Sequence, residues 1–145
     1  MARTYSRETT GALGVSNPAK IQGNVYDTPL KRIRAVVDYD GQASGDDIVL
    51  GQLPVGAVFA YGMLTASATA GASATVAIGT TGTLGKYRAA ATFTAANTPT
   101  TFGTAAGASM APLTAPELLL LTVGTAALPT SADYLVVDIY YSDLA

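Results

Sequence analysis

Lys31-Arg32-Ile33-Arg34-Ala35-Val36-Val37-Asp38-Tyr39-Asp40 alternates by twos. Ile33, Ala35, Val37 and Tyr39 are interleaved with Arg32, Arg34, Asp38 and Asp40, and only Val36 is out of phase. Successive side chains of a strand point to opposite faces, so this period marks a strand with one face buried and one in water. Leu135, Val137, Ile139 and Tyr141 repeat the pattern near the other end of the chain. On the opposite face of that last strand lie Tyr134, Val136 and Tyr140 around Asp138. An outer face that is half apolar predicts a surface covered by a partner.

Further short strands lie between these two. The turn-rich Asp40-Gly41-Gln42-Ala43-Ser44-Gly45 leads to Ile48-Val49-Leu50. Val55, Ala57, Phe59, Tyr61 and Met63 are expected on one face of a longer strand, with Gly56 and Gly62 on the other. Ala74, Val76 and Ile78 mark the next. A turn at Gly79-Thr80-Thr81-Gly82 then joins it in a hairpin to a strand with Tyr87, Ala89, Ala91 and Phe93 inward. Thr92, Thr94 and the flanking Gly and Pro weigh against a helix over 89–96. Residues 97–116 read as a long connection with room for one short strand, anchored by Phe102, Met110 and Leu113. Leu118-Leu119-Leu120-Leu121-Thr122-Val123 lacks alternation and reads as a strand covered on both faces in preference to a helix opened by Pro116 and Glu117. It is expected to form a closing hairpin with 135–141. Seven or eight short strands without a long amphipathic helix predict an all-β domain, an antiparallel two-sheet sandwich or a barrel.

Residues 1–30 show neither period and are punctuated by Gly11, Gly14, Asn17-Pro18, Gly23 and Thr28-Pro29. They are expected to form an extended N-terminal arm ahead of a β domain over 31–145. Residues 1–34 hold Arg3, Arg7, Lys20, Lys31, Arg32 and Arg34 against Glu8 and Asp27, a net +4. The remainder holds Lys86 and Arg88 against eight carboxylates, a net −6. The N-terminal end, arm and first strand together, is therefore basic and the body acidic, and Arg3, Tyr5, Arg7, Lys20 and Tyr26 are the candidate docking side chains of the arm.

Composition narrows the function. The 145 residues are 49% hydrophobic and only 12% charged, with a mean hydropathy of +0.32. A chain so poor in charge folds readily but cannot cover a monomer's surface in the usual way, which points to association. Cys and His are both absent, so disulfides, thiolate nucleophiles, the common zinc sites and a Ser-His-Asp relay are excluded. A pI near 4.8 argues against nucleic acid as a partner. The opening has no apolar core of a signal peptide, and the longest apolar stretch, Leu118 to Leu128, is bounded by prolines, so neither a signal peptide nor a membrane span is expected.

Two motifs read as ordinary turns, and a third lacks the surroundings its chemistry needs. Gly79-Thr80-Thr81-Gly82-Thr83-Leu84-Gly85-Lys86-Tyr87 has the glycines of a phosphate loop but the wrong spacing, Tyr87 where Ser or Thr would bind magnesium, and no following helix. Asp38, Asp40, Asp46 and Asp47 offer hard oxygen ligands for calcium, yet Gly41 comes too early for an EF-hand and no Glu closes the loop. A glycosidase pair of carboxylates would need a cleft with aromatic platforms, and Trp is absent. No catalytic, cofactor or metal site is expected.

Ala35-Val36-Val37-Asp38-Tyr39-Asp40-Gly41-Gln42-Ala43-Ser44-Gly45-Asp46, Leu53-Pro54-Val55-Gly56-Ala57 and Gly85-Lys86-Tyr87-Arg88-Ala89-Ala90 together resemble the capsid cement, or decoration, proteins of tailed bacteriophages. The resemblance covers most of residues 30–141, including Pro116-Glu117-Leu118-Leu119-Leu120 and Tyr140-Tyr141-Ser142. It implies a jelly-roll-like domain on the outer face of the virion shell, assembled in the host cytoplasm. The implied partners are the major capsid protein and further copies of the chain, as a homodimer or homotrimer. Another virion part, such as a tail or head-fibre protein, and a carbohydrate-binding β module are the alternatives.

Overall fold

The computed structural model describes residues 28–108 and 111–143, which form eight strands and, among the described residues, no helix. They are β1 (Leu30–Asp40), β2 (Asp47–Leu53), β3 (Val58–Ala66), β4 (Thr75–Thr80), β5 (Thr83–Thr92), β6 (Thr100–Phe102), β7 (Glu117–Gly124) and β8 (Thr130–Ser142). One antiparallel sheet has the order β1-β8-β3-β6, the other β2-β7-β4-β5. Strand 1 therefore lies beside 8, 2 beside 7, 3 beside 6 and 4 beside 5. The chain runs as one long hairpin, with its tip at Thr81-Gly82, wound into two facing sheets. This is the jelly-roll sandwich.

The alternating stretches supply the walls of the core. Val37 and Tyr39 of β1 and Leu135, Val137 and Ile139 of β8 point inward from one sheet, opposite Leu119, Leu121 and Val123 of β7 and Val76 and Ile78 of β4. Phe59 and Tyr87 meet between the sheets with ring centroids 4.4 Å apart. Tyr39 is fully buried, and its hydroxyl donates to the Ala68 carbonyl at 2.9 Å. Burial, and secondarily the negative charge of Asp133, pushes that phenol above its ordinary pKa.

Several expectations need correction. Residues 118–123 do form a strand, but β7 and β8 are not a hairpin, since they lie in different sheets. The connecting residues 125–129 cross the roughly 10 Å between sheets. Leu128 is buried there, and backbone bonds Gly41 N to Pro129 O (3.1 Å) and Leu128 N to Gln42 O (2.9 Å) tie the crossing to the β1–β2 turn. Tyr61 and Met63 do not continue the inward face of Phe59. Phe59 pairs with Tyr141 and Tyr61 with Tyr140, so Ala60 is an extra residue, a β-bulge, and the side-chain phase inverts after it. Gly62, Leu64 and Ala66 then face the core, with the Phe102 ring seated on Gly62 where a Cβ would stand. Val55 is an exposed turn residue. Ala89 and Ala91 are exposed because β5 is an edge strand whose register with β4 breaks twice, so that only Tyr87 and Phe93 reach the core. Met110 and Arg3, Tyr5, Arg7, Lys20 and Tyr26 lie outside the described residues.

Candidate protein-binding surface

The outer face of the β1-β8-β3-β6 sheet combines aromatic, aliphatic and paired charged side chains. Register sets them in rows across the strands: Arg32, Tyr140 and Tyr61; Arg34, Asp138, Met63 and Thr101; Val36, Val136 and Thr65; Asp38 and Tyr134. The bulge at Ala60 brings Tyr61 to this side, where it stacks on Tyr140 with centroids 4.8 Å apart and planes 20° from parallel. Val36 is 57% exposed and Tyr134 44%, large values for apolar groups standing on a regular sheet.

Asp138 sits in the middle of this face and is only 6% exposed. Arg34 Nε and Nη2 each donate to one of its oxygens at 2.7 Å, a bidentate arrangement, and Arg32 Nε stands 3.9 Å away. Two charge-assisted bonds offset the desolvation of the carboxylate. The hydrogen bonds to Asp138, then its charge, hold the Arg34 guanidinium above its ordinary pKa. One carboxylate serves two guanidinium groups, so this part of the face is net positive. With strands about 4.8 Å apart and alternate residues about 6.8 Å apart, these rows offer roughly 400 Å², against about 800 Å² per partner in a standard interface. A stable complex through this face needs contacts from elsewhere in the chain as well.

Tyr134, Val136 and Tyr140 thus share one surface. Arg34, expected on the water-facing side of its strand, belongs to it too, as do Tyr61 and Met63, which were expected to face inward. Their signal is readable in retrospect: Ala57 and Phe59 have odd numbers and Leu64 and Ala66 even ones, so the apolar parity changes within a single strand.

The other singled-out groups do structural work. Asp46 Oδ2 accepts from the Ala43 amide at 2.7 Å and Asp47 Oδ1 from the Thr122 hydroxyl at 2.5 Å, while Asp38 and Asp40 are exposed. Among the described residues no three carboxylates gather closely enough to hold a metal ion. Gly79 to Tyr87 is the β4–β5 hairpin, not a strand-to-helix turn. Lys86 Nζ bonds Glu117 Oε2 at 2.6 Å, and the Tyr87 hydroxyl donates to Glu117 Oε1. Burial first, and then Glu117, pushes the Tyr87 phenol strongly upward.

No family model matches the chain, and no curated protein matches it in sequence. Solved structures do share its fold. A chain of the cyanophage Pam1 capsid asymmetric unit superposes with a TM-score of 0.67 at 18% identity, covering 98% of this chain and 99% of that one. A chain of the Ralstonia phage GP4 capsid gives 0.63 at 18% identity, covering 95% and 97%. A chain of the acid-stable capsid of Helicobacter pylori bacteriophage KHP30 gives 0.57 at 15% identity, covering 80% and 89%. At these identities the likeness is one of fold, and it agrees with the jelly roll that the sequence resemblance implied.

Proposed function

We propose that the chain is a non-catalytic structural protein of a phage virion, one that binds the outer surface of the capsid and bridges neighbouring major capsid protein subunits. The observation that carries this reading is the apolar, aromatic outer face of the β1-β8-β3-β6 sheet, on a jelly roll shared with chains of phage capsids. The sheet face supplies part of the contact, through Tyr134, Val136 and Tyr140 together with Tyr61 and Val36. The basic arm, through Arg3, Tyr5, Arg7, Lys20 and Tyr26, supplies the remainder by lying across adjacent subunits, and the β body associates with further copies as a dimer or trimer. A protein that binds only the mature lattice stabilises it by mass action, and many equivalent copies add small energies to a large total.

The experiment is to image purified particles and locate and count this chain, then repeat with residues 2–27 deleted. The expected result is regular occupancy of the outer shell that collapses on deletion while the β domain keeps its circular dichroism. Location at a vertex or tail alone, or occupancy unchanged by the deletion, overturns the reading or the arm's part in it respectively.

A further inference from the structure

Among the described residues, the long edge without a neighbouring strand is β1. Edge strands expose unpaired N–H and C=O groups, and folded proteins shorten, bulge or cover them. Three of the four edges obey this rule. The β6 strand has three residues, and β2 is bulged after Val49. In β5 the register is lost at two points, and the Arg88 guanidinium donates to the carbonyls of Val76, Ala91 (3.1 Å) and Thr92 (3.3 Å). By contrast, β1 pairs with β8 without a break from Leu30 opposite Ser142 to Asp38 opposite Tyr134, and no described strand lies on its other side.

Gln42 shows which backbone groups face that side. Its Nε2 donates to the Asp38 carbonyl at 2.8 Å and its Oε1 accepts from the Asp40 amide at 3.2 Å, whereas the Gly41 amide turns the other way, to Pro129 O beside β8. In an antiparallel pair alternate residues direct both backbone groups to the same side. Leu30, Arg32, Arg34 and Val36 therefore present theirs to the open side, and the Gln42 amide ends the row as a substitute for a partner strand.

We propose that the edge from Leu30 to Val36 accepts, as an added strand, an extended segment of a different protein with carboxylates at alternate positions. Strand addition draws affinity from the backbone and specificity from alternate side chains. Here the alternate side chains beside the incoming strand are Arg32 and Arg34, which share the single carboxylate of Asp138. Between them, the half-buried Ile33 and Ala35 offer an apolar inner side. A second copy fits poorly: Gln42 closes the acidic half of β1, so two open segments would set Arg32 and Arg34 against each other, and like charges opposite one another destabilise a pair. Residues 1–27 fit poorly too, since Arg3, Arg7 and Lys20 outweigh Glu8 and Asp27. The inference does not rest on a virion location, and its failure leaves that reading standing.

The test titrates the full-length, isotope-labelled chain with a capped seven-residue peptide of alternating valine and glutamate, and with its valine-lysine counterpart, each to millimolar concentration, while amide spectra and hydrogen exchange are recorded. The glutamate peptide is expected to shift and protect the amides of Arg32, Arg34 and Val36, and to bind about tenfold more tightly than the lysine peptide, the size of one or two cross-strand charge pairs. Arg32→Glu should reverse that ranking, and Arg32→Gln, the variant to use if the first does not fold, should abolish it. No shift at millimolar peptide, equal affinity for the two peptides, shifts confined to Tyr61, Tyr134 and Tyr140, or amides already protected in the free chain would each overturn the proposal.

Discussion

Deletion of Ala60 should leave both faces of β3 in place, whereas deletion of Met63 should not. Successive residues of a regular strand point to opposite faces, so with the bulge residue gone an inward Phe59 opposite Tyr141 is followed directly by an outward Tyr61 opposite Tyr140, and Gly62, Leu64 and Ala66 stay inward. Met63 lies where β3 and β8 pair residue for residue, and its loss slips one half of the strand by one position. If the half beyond it turns over, Leu64 and Ala66, both 1% exposed, leave the core. Expelling a buried leucine costs about 3 kcal/mol and an alanine methyl about 1 kcal/mol, a loss of about 4 kcal/mol. If the bulge takes up the slip instead, Tyr61 is brought to the place of Gly62, where the Phe102 ring leaves no room for a Cβ. A loss of about 4 kcal/mol lowers the melting temperature of a domain this size by roughly 12 °C. Thermal unfolding followed by circular dichroism measures both variants, and the Ala60 deletion is expected to melt within about 3 °C of the parent. An Ala60 deletion that melts as low as the Met63 deletion would refute the assignment of Ala60 as the extra residue of the strand.

Gly79→Ala should cost about 3 kcal/mol, because its Cβ would run into the carbonyls of Thr83 and Leu84, which are backbone and cannot swing aside; urea unfolding would show it, and an unchanged midpoint would contradict the close approach. Asp138→Asn should lower stability by about 1 to 2 kcal/mol, less than for a fully buried pair because the Arg34 side chain is half exposed and can hydrate, again read from the urea midpoint. Tyr39 and Tyr87 both have folded-state values raised above the ordinary 10.0, so above that pH the native state holds protons that the unfolded chain has released. Stability is then complete below pH 10 and falls as pH rises beyond it; Tyr87→Phe should flatten the fall, which a pH series of unfolding midpoints will show.

The regular strands were legible because each carries its own period. Ile33 to Tyr39 and Leu135 to Tyr141 face the core as their alternation predicts, and Val36, the one residue out of phase, is exposed. What escaped is set by relations between strands. The expectation of a hairpin between residues 118–123 and 135–141 failed because proximity in sequence does not say whether a short loop reverses within a sheet or crosses to the facing one. The outer face was half legible: Tyr134, Val136 and Tyr140 follow from period two, whereas Tyr61 and Met63 reach it through a bulge that averages out of a single-strand pattern. Arg34 and Asp138 were each visible as polar interruptions, but their bond joins residues 104 positions apart and needs the β1–β8 register.

The pairing of β1 with β8 also governs how the molecule comes into being on the ribosome. About 90 residues separate the end of β1 from the start of β8, so at roughly 5 to 20 residues per second β1 waits on the order of 5 to 20 seconds for its neighbour to be translated. Until then its apolar side has no sheet to join, and the β4–β5 hairpin, whose strands are contiguous, is the natural place for folding to begin. Closure of this sheet is therefore a late event that must await the synthesis of β8, and slow decoding between the two strands should raise the yield of aggregated over native product.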